Sequence, residues 1–395
     1  MSKLQELIQE LCPNGVEWKT IHDVAEIGTG SCNGNEAEEG GAYPFFVRSQ
    51  NIKAKNDFQY DEEAIIIPGE GGIGEIFHYV NGKYALHQRV YRIHFIDKTI
   101  NVKFIYYYMK SNFKSFILKK AVSATVTSIR KPMIEKFEIP IPPLEVQEEI
   151  VKILDRFADY AAELQAELQA RQEQHEFYRD KLLSFNNINK KGGGVIWMKM
   201  SEIGAFIRGN GLQKKDFTES GVPCIHYGQI YTHYGTFASK TKSFVSEETA
   251  GRCKKAHSGD LIFATVSENI EDVCKCVAWL GDGEICISGD SLAFSHNQNP
   301  KYLAYYFQTT VFADYKKTRV TGTKVIRLHQ SKLEQFIVPI PSLAEQQRIV
   351  EILDRFETLT NDLAQGLPAE INAVHEQYKY YRNRLLSFPR NKLSA

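Results

Sequence analysis

The chain repeats itself. Phe137–Phe157 (FEIPIPPLEVQEEIVKILDRF) and Phe336–Phe356 (FIVPIPSLAEQQRIVEILDRF) align without a gap at an offset of 199. Tyr178–Phe185 (YRDKLLSF) returns as Tyr381–Phe388 (YRNRLLSF) at an offset of 203, so the second copy carries four extra residues. Such a repeat constrains the fold before any local motif does, because both copies must build the same supersecondary unit. Upstream the likeness is weaker but ordered. Gly15-Val16-Glu17-Trp18 is echoed by Gly194-Val195-Ile196-Trp197, Tyr43-Pro44-Phe45-Phe46 by Val222-Pro223-Cys224-Ile225, and NVKFIYYYMKSN (Asn101–Asn112) by NPKYLAYYFQTT (Asn299–Thr310). Each half is thus a variable region followed by a nearly identical one, and the second variable region is about twenty residues longer. The order is circular: LLSF directly precedes the second Gly-Val-x-Trp, and the last LLSF would precede the first if the chain were closed. This predicts a pseudo-twofold molecule with its termini close together.

The shared blocks read as long helices. Pro142-Pro143 and Pro341-Ser342 stop a strand, and Glu145 and Glu345 fall in the first helical turn. Ile150, Leu154, Phe157, Ala161, Leu164, Leu168, Tyr178 and Leu182 continue a 4-3 alternation, with Arg171 and His175 in its two polar places. That is a heptad seam of more than four heptads. In the second copy, Ile349, Leu353, Phe356, Leu363 and Leu367 meet Leu367, Ile371, Val374, Tyr378, Tyr381 and Leu385 in a different phase. A four-residue insertion produces such a stutter, and Gly366 and Pro368 beside it predict a break or kink. The variable blocks read as α/β domains. Ala64–Pro68 and Leu261–Ala264 are short buried strands, Asn81-Gly82 is a hairpin turn, and Lys103–Lys120 and Tyr302–Lys317 are aromatic-rich helices. The fold class expected is mixed α/β (α+β). Two globular domains are separated by two long helices pairing as an antiparallel coiled coil, in a pseudo-twofold circular repeat.

The 395 residues allow two to three domains, and 43% hydrophobic with 24% charged residues is a globular composition. No window approaches 18 apolar residues, and Glu6 and Glu10 interrupt the N-terminal apolar stretch, so neither a membrane span nor a secretory signal is expected. Seven cysteines without a framework suit a reducing cytoplasm. The net charge of zero hides segregation: residues 98–134 carry +8 and residues 297–333 carry +6, whereas residues 145–180 carry −6 and residues 345–376 carry −5. Blocks of opposite sign imply opposite partners.

Catalytic and cofactor motifs fail their structural tests. Gly69-Glu70-Gly71-Gly72-Ile73-Gly74 fits G-x-G-x-x-G, but a hairpin follows rather than a helix, so it reads as a tight turn. Cys274 and Cys276 with Cys253 and His257 lack zinc spacing and read as free thiols. No P-loop and no G-x-S-x-G elbow is present. Asp155, Asp159, Glu163 and Glu167 form a helix-surface stripe. No cofactor, metal or catalytic residue is therefore assigned.

Basic residues recur at the same place in both halves, interleaved with aromatics. They are Lys119, Lys120, Arg130 and Lys131 in the first, and Lys316, Lys317, Arg319, Lys324 and Arg327 in the second. This pattern suits phosphate contacts, while the aromatics, Tyr106, Tyr107, Phe113, Tyr305 and Phe312 among them, read as core. Polar clusters able to reach base edges are Arg48, Ser49, Gln50 and Asn51; Arg89 with His87 and Gln88; His226 and Gln229; and Asn269 with Ser267. Arg suits guanine, and Asn or Gln suits adenine.

The paired P-L-x-x-Q…I-V-x-I-L-D-R-F blocks, the two LLSF ends and the dissimilar regions between them resemble the specificity subunits of type I restriction–modification systems. The resemblance covers essentially the whole chain. Ala344-Glu345-Gln346 keeps the usual Glu-Gln, and Glu145-Val146-Gln147 departs from it. The resemblance implies target recognition domains at 1–142 and 191–341, each reading half of a split, asymmetric site on double-stranded DNA. It implies conserved spacer helices at 143–190 and 342–395, the latter with a C-terminal tail. Two modification (methyltransferase) subunits would dock there, through Gln147, Glu148, Asp155, Arg156, Gln346, Gln347, Asp354 and Arg355, and restriction subunits would join later. The subunit itself would be non-catalytic and cytoplasmic. Its first seam covers about 33 residues, ~50 Å at ~1.5 Å each, enough to reach between half-sites ~34–36 Å apart on one DNA face. Two alternatives stay open here: a DNA-acting enzyme with an unrecognised nuclease site, which a cleavage assay separates, and a coiled-coil scaffold, which would not need two basic windows.

Overall fold

The computed structural model describes residues 3–120, 128–185, 194–361 and 366–391. The Lys120 side chain, the 186–190 end of the first spacer, Leu363 and the last four tail residues lie outside the described residues.

In chain order, the first part comprises α1 (Lys3–Leu11), β1 (Glu17–Thr20), α2 (Ile21–Val24), β2 (Ala25–Thr29), β3 (Tyr43–Phe46), β4 (Lys53–Lys55), β5 (Tyr60–Pro68), β6 (His78–Leu86), β7 (Val90–Phe95), α3 (Val102–Lys120), α4 (Lys131–Glu135), β8 (Glu138–Ile141) and α5 (Leu144–Leu183). The second part begins with β9 (Ile196–Lys199), α6 (Met200–Ile203), β10 (Gly204–Arg208), β11 (Phe217–Thr218), β12 (Val222–Ile225), α7 (Tyr227–Thr232), β13 (Phe237–Ala238), β14 (Ser243–Val245), α8 (Glu247–Arg252) and β15 (Lys255–Ala256). It continues with β16 (Leu261–Ala264), β17 (Val266–Ser267), β18 (Cys276–Trp279), β19 (Ile285–Ile287), β20 (Ser291–His296), α9 (Pro300–Tyr306), α10 (Thr310–Lys317), β21 (Ile326–Arg327), α11 (Gln330–Gln335) and β22 (Ile337–Ile340). Two helices close the chain, α12 (Leu343–Asn361) and α13 (Leu367–Leu385).

Two compact units form. Unit 1 is Met1–Gln165 with Glu370–Ala395, and unit 2 is Ala166–Ala369. Unit 1 holds a six-stranded sheet ordered β2-β7-β5-β6-β3-β4. Its central strand shows the two-residue period of a pleated strand: Ile65 and Ile67 join the cluster with Phe104, Met109, Phe113, Ile150 and Leu154, while Ala64 and Ile66 join Phe46, Val80 and Leu86. Unit 2 sorts β16 the same way, Leu261 and Phe263 to one cluster and Ile262 and Ala264 to another. Its strands form two five-stranded sheets, β10-β20-β16-β18-β13 and β11-β14-β12-β19-β15.

The weak echoes in the sequence are structural equivalents. Trp18 of β1 pairs with Pro140 of β8, and Trp197 of β9 pairs with Pro339 of β22. Each ribbon has only two strands, where proline's missing donor is tolerated. In unit 1 the C-terminal segment closes this region: Val16 N–H donates to Pro389 O (2.9 Å), and Asn391 N–H donates to Val16 O (3.0 Å). Gly15 permits the approach, with φ of +93° and room for no Cβ, which would lie 2.6 Å from Pro389 O.

Part of the α5 seam faces inward, while its Tyr178 is exposed. Ile150, Leu154, Leu164, Leu168 and His175 are buried. Within unit 1, α5 packs antiparallel to α13, since Phe157 stacks on Tyr381 (5.6 Å) and Tyr160 Oη donates to Glu370 (2.5 Å). Within unit 2, Tyr178 and His175 of α5 stack on Phe356 of α12. The described part of α12 ends at Asn361, and α13 begins at Leu367, the residue where the two heptad phases meet.

Two local expectations are corrected. Asn81-Gly82 is not a turn: both flanks pair with the same strand, Glu63↔Asn81 and Glu62↔Gly82, so β6 runs straight through and the reversal lies at 69–77. The Tyr302–Lys317 helix is two helices, broken after Tyr306, where Thr309 leaves helical geometry with ψ of 157°. Cys274 and Cys276 are buried free thiols, as the sequence indicated.

Candidate DNA interface

In unit 1, three loops leave one edge of the sheet together. Strands β3 and β6 are parallel neighbours (Phe46↔Leu86), so Arg48–Asn51 and His87–Arg89 emerge side by side, and Pro68 of β5 lies opposite Val90. Backbone bonds lock them: His87 N–H donates to Phe46 O (3.0 Å), Gly69 N–H to Arg89 O (2.9 Å) and Ile129 N–H to Gly69 O (2.7 Å). Gly71, at φ of +77°, passes so close that a Cβ would lie 3.1 Å from Arg48 O. Glu70 is thereby set between two arginines. It accepts from Arg48 Nη1 (3.0 Å) and from Arg89 Nη1 (2.9 and 3.0 Å). These bonds, that from Arg89 first, hold its carboxyl below the ordinary carboxylate range. Gln50 and Asn51 are exposed beside them, and Ser49 Oγ donates to Asn51 O (2.9 Å). Burial, then the charges of Arg48 and Arg89, push the His87 pKa down and favour the neutral ring.

Unit 2 reproduces the backbone and changes the chemistry. Thr265 N–H donates to Asp290 O (2.9 Å) and Leu328 N–H to Thr265 O (3.2 Å), so Asp290 occupies the place of Arg89. Asp290 pairs with Arg327 (3.0 Å), and Arg208 Nε donates to Gly289 O (3.2 Å). Asn269 is exposed and its amide closes a turn on Asp272 (2.8 Å). Three expected contacts lie inside instead. His226 and Gln229 are buried as the cap of α7: His226 Nδ1 accepts from Gly228 N–H (3.2 Å), and Gln229 reaches His226 N–H (3.0 Å) and Ser243 Oγ (2.7 Å). Lys316 is buried, its Nζ donating to Glu271 O (2.6 Å) and Val273 O (3.0 Å), and burial lowers its pKa. Its partners are carbonyls of the fold, so phosphate contact through Lys316 is not available in this arrangement.

The remaining basic residues are at the surface. Lys119 and Arg130 are exposed, and Lys131 lies 3.8 Å from Glu135. Lys317 pairs with Asp314 (3.0 Å), Arg319 sits over the Tyr315 ring at 3.9 Å, and Lys324 is exposed. The interleaved aromatics are core: Tyr107, Phe113, Tyr305 and Phe312 are buried.

The residues assigned to partner docking divide in two. Gln147 and Gln346 are fully buried. Gln147 accepts from Asn101 N–H (2.8 Å) and donates to Thr99 O (2.9 Å) and Pro142 O (2.7 Å). Gln346 accepts from Asn299 N–H (2.9 Å) and donates to Gln298 Oε1 (2.8 Å) and Pro341 O (2.9 Å). Asp155 accepts from Lys103 (2.7 Å) and Tyr107 (2.6 Å), and Asp354 from Lys301 (2.7 Å) and Tyr305 (2.8 Å). These four fasten each helix to its own domain; the buried Gln147 and Gln346 therefore cannot dock a partner as expected, whereas Asp155 and Asp354 stay partly exposed. Glu148, Arg156, Gln347 and Arg355 are exposed. Sequence reasoning read Tyr107 and Tyr305 only as core and gave Lys103 and Lys301 no role, although N-x-K-x-x-x-Y recurs at Asn101 and Asn299. It saw Glu70 only as part of a tight turn, with no arginine partners, and passed over Asp290.

Among the described residues no helix is long and apolar enough to cross a membrane, and no cluster of three His, Cys, Asp or Glu could hold a metal ion. The chain is 32% identical over 305 residues to the EcoR124I/EcoR124II specificity subunit of Escherichia coli, covering 74% of this chain and 72% of that one. The fold resembles the type I restriction-modification S subunit of M. genitalium, with a TM-score of 0.55 at 16% identity over 94% of this chain and 96% of that one. It also resembles a chain from a structure of the assembly and conformational transition of the type I R-M system, with a TM-score of 0.61 at 14% identity over 95% and 98%. Residues 13–174 and 194–373 each match the type I restriction modification DNA specificity domain, and the chain belongs to that family.

Proposed function

We propose that this chain reads a bipartite DNA site without catalysing any reaction on it, one half-site per target recognition domain (1–142 and 191–341). The carrying observation is the contrast within one backbone frame, Arg48–Glu70–Arg89 in unit 1 against Arg327–Asp290 in unit 2. Different groups at equivalent places read different bases, so the site is asymmetric. The exposed lysines and arginines beside the loops supply sequence-independent phosphate contacts.

The helices act as spacer and dock. The 40-residue α5 sets the distance between half-sites, paired with the 342–395 segment as an antiparallel coiled coil in a pseudo-twofold circular repeat. Glu148 and Arg156 stand 199 residues before Gln347 and Arg355, with only the arginine kept, and offer two modification subunits corresponding surfaces; restriction subunits then complete a cytoplasmic complex. The test is to express the chain with its modification subunits and map methylation of the host chromosome. A split, asymmetric motif is expected, with neither methyl transfer nor cleavage by the pure chain. A continuous motif, or turnover by the chain alone, overturns the reading.

A further inference from the structure

The Arg48–Glu70–Arg89 cluster has an unusual composition for a DNA-facing surface. Two guanidiniums carry +2, and a carboxylate between them cancels half of it. A phosphate grip gains nothing from this arrangement, because a carboxylate repels phosphate oxygens and lowers the charge that displaces counterions. A base edge is neutral. Guanine offers O6 and N7 as paired acceptors, and a guanidinium reads them only when its plane is fixed. Glu70 provides that fixing. Charge-assisted bonds of 2.9–3.0 Å reach both arginines, while their side chains stay 48% and 58% exposed. The carboxylate is itself fixed by the turn, since Gly69 is bonded to both Arg89 and Ile129.

We propose that Glu70 is a specificity-determining positioning residue: it holds Arg48 and Arg89 for guanine in one half-site and keeps both off phosphates. The proposal rests on the reading that these loops face DNA, and it assigns the chemical class of the target at one position. In unit 2 the place of Arg89 belongs to Asp290, so the effect is confined to one half-site.

A positioning role and a plain structural role differ in sign. Without the carboxylate, the arginines are free to swing to phosphates. Selectivity then falls while sequence-independent affinity rises. A structural loss lowers both. The experiment uses the full chain with its modification subunits, as wild type, Glu70→Ala and Glu70→Gln. The probes are the host chromosome, read by methylation mapping, and a random-sequence duplex pool titrated across salt. Both variants are expected to lose roughly 5- to 100-fold discrimination at one G·C pair of a single half-site. The log–log salt slope of binding to the pool is expected to steepen by up to about 0.9 for each arginine released to a phosphate. The other half-site stays unchanged. Glu70→Gln keeps the side chain's shape, so a folding failure of Glu70→Ala leaves the test standing. Unchanged selectivity, or selectivity and pool affinity falling together, overturns the proposal. A wild-type complex with no split methylation motif overturns instead the reading beneath it, and the proposal with it.

Discussion

Units 1 and 2 agree where the chain fastens its helices and disagree where its loops emerge. Gln147 and Gln346 make the same kind of three-bond contact, and Asp155 and Asp354 each bind a lysine and a tyrosine. At the loop edge, Arg89 and Asp290 share a backbone position with opposite charge. The lesson is a division of labour: sequence repeats where geometry must be preserved, and diverges where a surface has something to distinguish. Buried polar networks tolerate little change, because any lost partner leaves a group without water or protein to bond. Exposed pairs tolerate much, because each contributes little stability.

The comparison breaks most completely if α5, whose residues belong partly to each unit, is shortened. Ala162–Gln165 and Ala166–Gln169 are the same four residues in tandem within α5. Deleting Ala166–Gln169 removes ~6 Å of rise, against ~3.4 Å for a base pair. We expect methylation at native sites to be lost almost entirely and to reappear at sites with the same halves and a gap one or two base pairs shorter. A methylation map checks this, and altered halves or an unchanged gap would refute it.

The sameness of the units is tested next. Gln147→Ala and Gln346→Ala should each cost about 3 kcal/mol, by leaving a buried N–H and carbonyls unpaired. Denaturant unfolding measures both, and unequal losses would show that the two contacts are not equivalent. Acid then tests one buried group of unit 2. Burial holds the His296 pKa in unit 2 down at about 4, with Asp260 opposing, and its Nε2 is buried without a partner among the described residues. The free value is about 6.5, so the unfolded chain binds more protons between the two. Stability is therefore complete above about 6.5 and falls by roughly 1–3 kcal/mol as pH drops toward about 4. His296→Gln should flatten that limb in a pH series of unfolding curves. The smallest effect belongs to the surface: neutralising Lys119, Arg130 and Lys131 should lower the log–log salt slope of DNA binding by roughly 0.9 per lost contact, with the methylation motif unchanged.

Much of this was legible in the sequence, because repeats and heptads are local patterns. The Gly-Val-x-Trp echo and the 199 offset marked both strands of each ribbon, Trp18–Pro140 and Trp197–Pro339, though not their pairing, and the seam marked Ile150, Leu154, Leu164 and Leu168 as buried but not the exposed Tyr178. The misses share a cause, which is that polarity does not reveal direction. Gln147, Gln346, Gln229 and Lys316 look like surface residues, yet each bonds to groups inside the fold. Asn81-Gly82 resembles a turn, but a neighbouring strand that pairs with both flanks overrides that local preference. Glu70 and Asp290 gained meaning only when loops distant in sequence met.

Unit 1 is assembled from both ends of the chain, and unit 2 from one continuous stretch. During synthesis the two therefore mature out of order. When Gln165 leaves the ribosome, unit 1 still lacks the segment whose Pro389 and Asn391 bond Val16, and the Leu386 that enters its core. At about 5–20 residues per second, the wait for residue 391 is roughly 10–45 s. Over that interval unit 2 can complete its fold while Leu4, Cys12 and Val16 lack their final cover. The first half of the chain to be made is the last to be finished, and it is the half for which chaperones have time to matter.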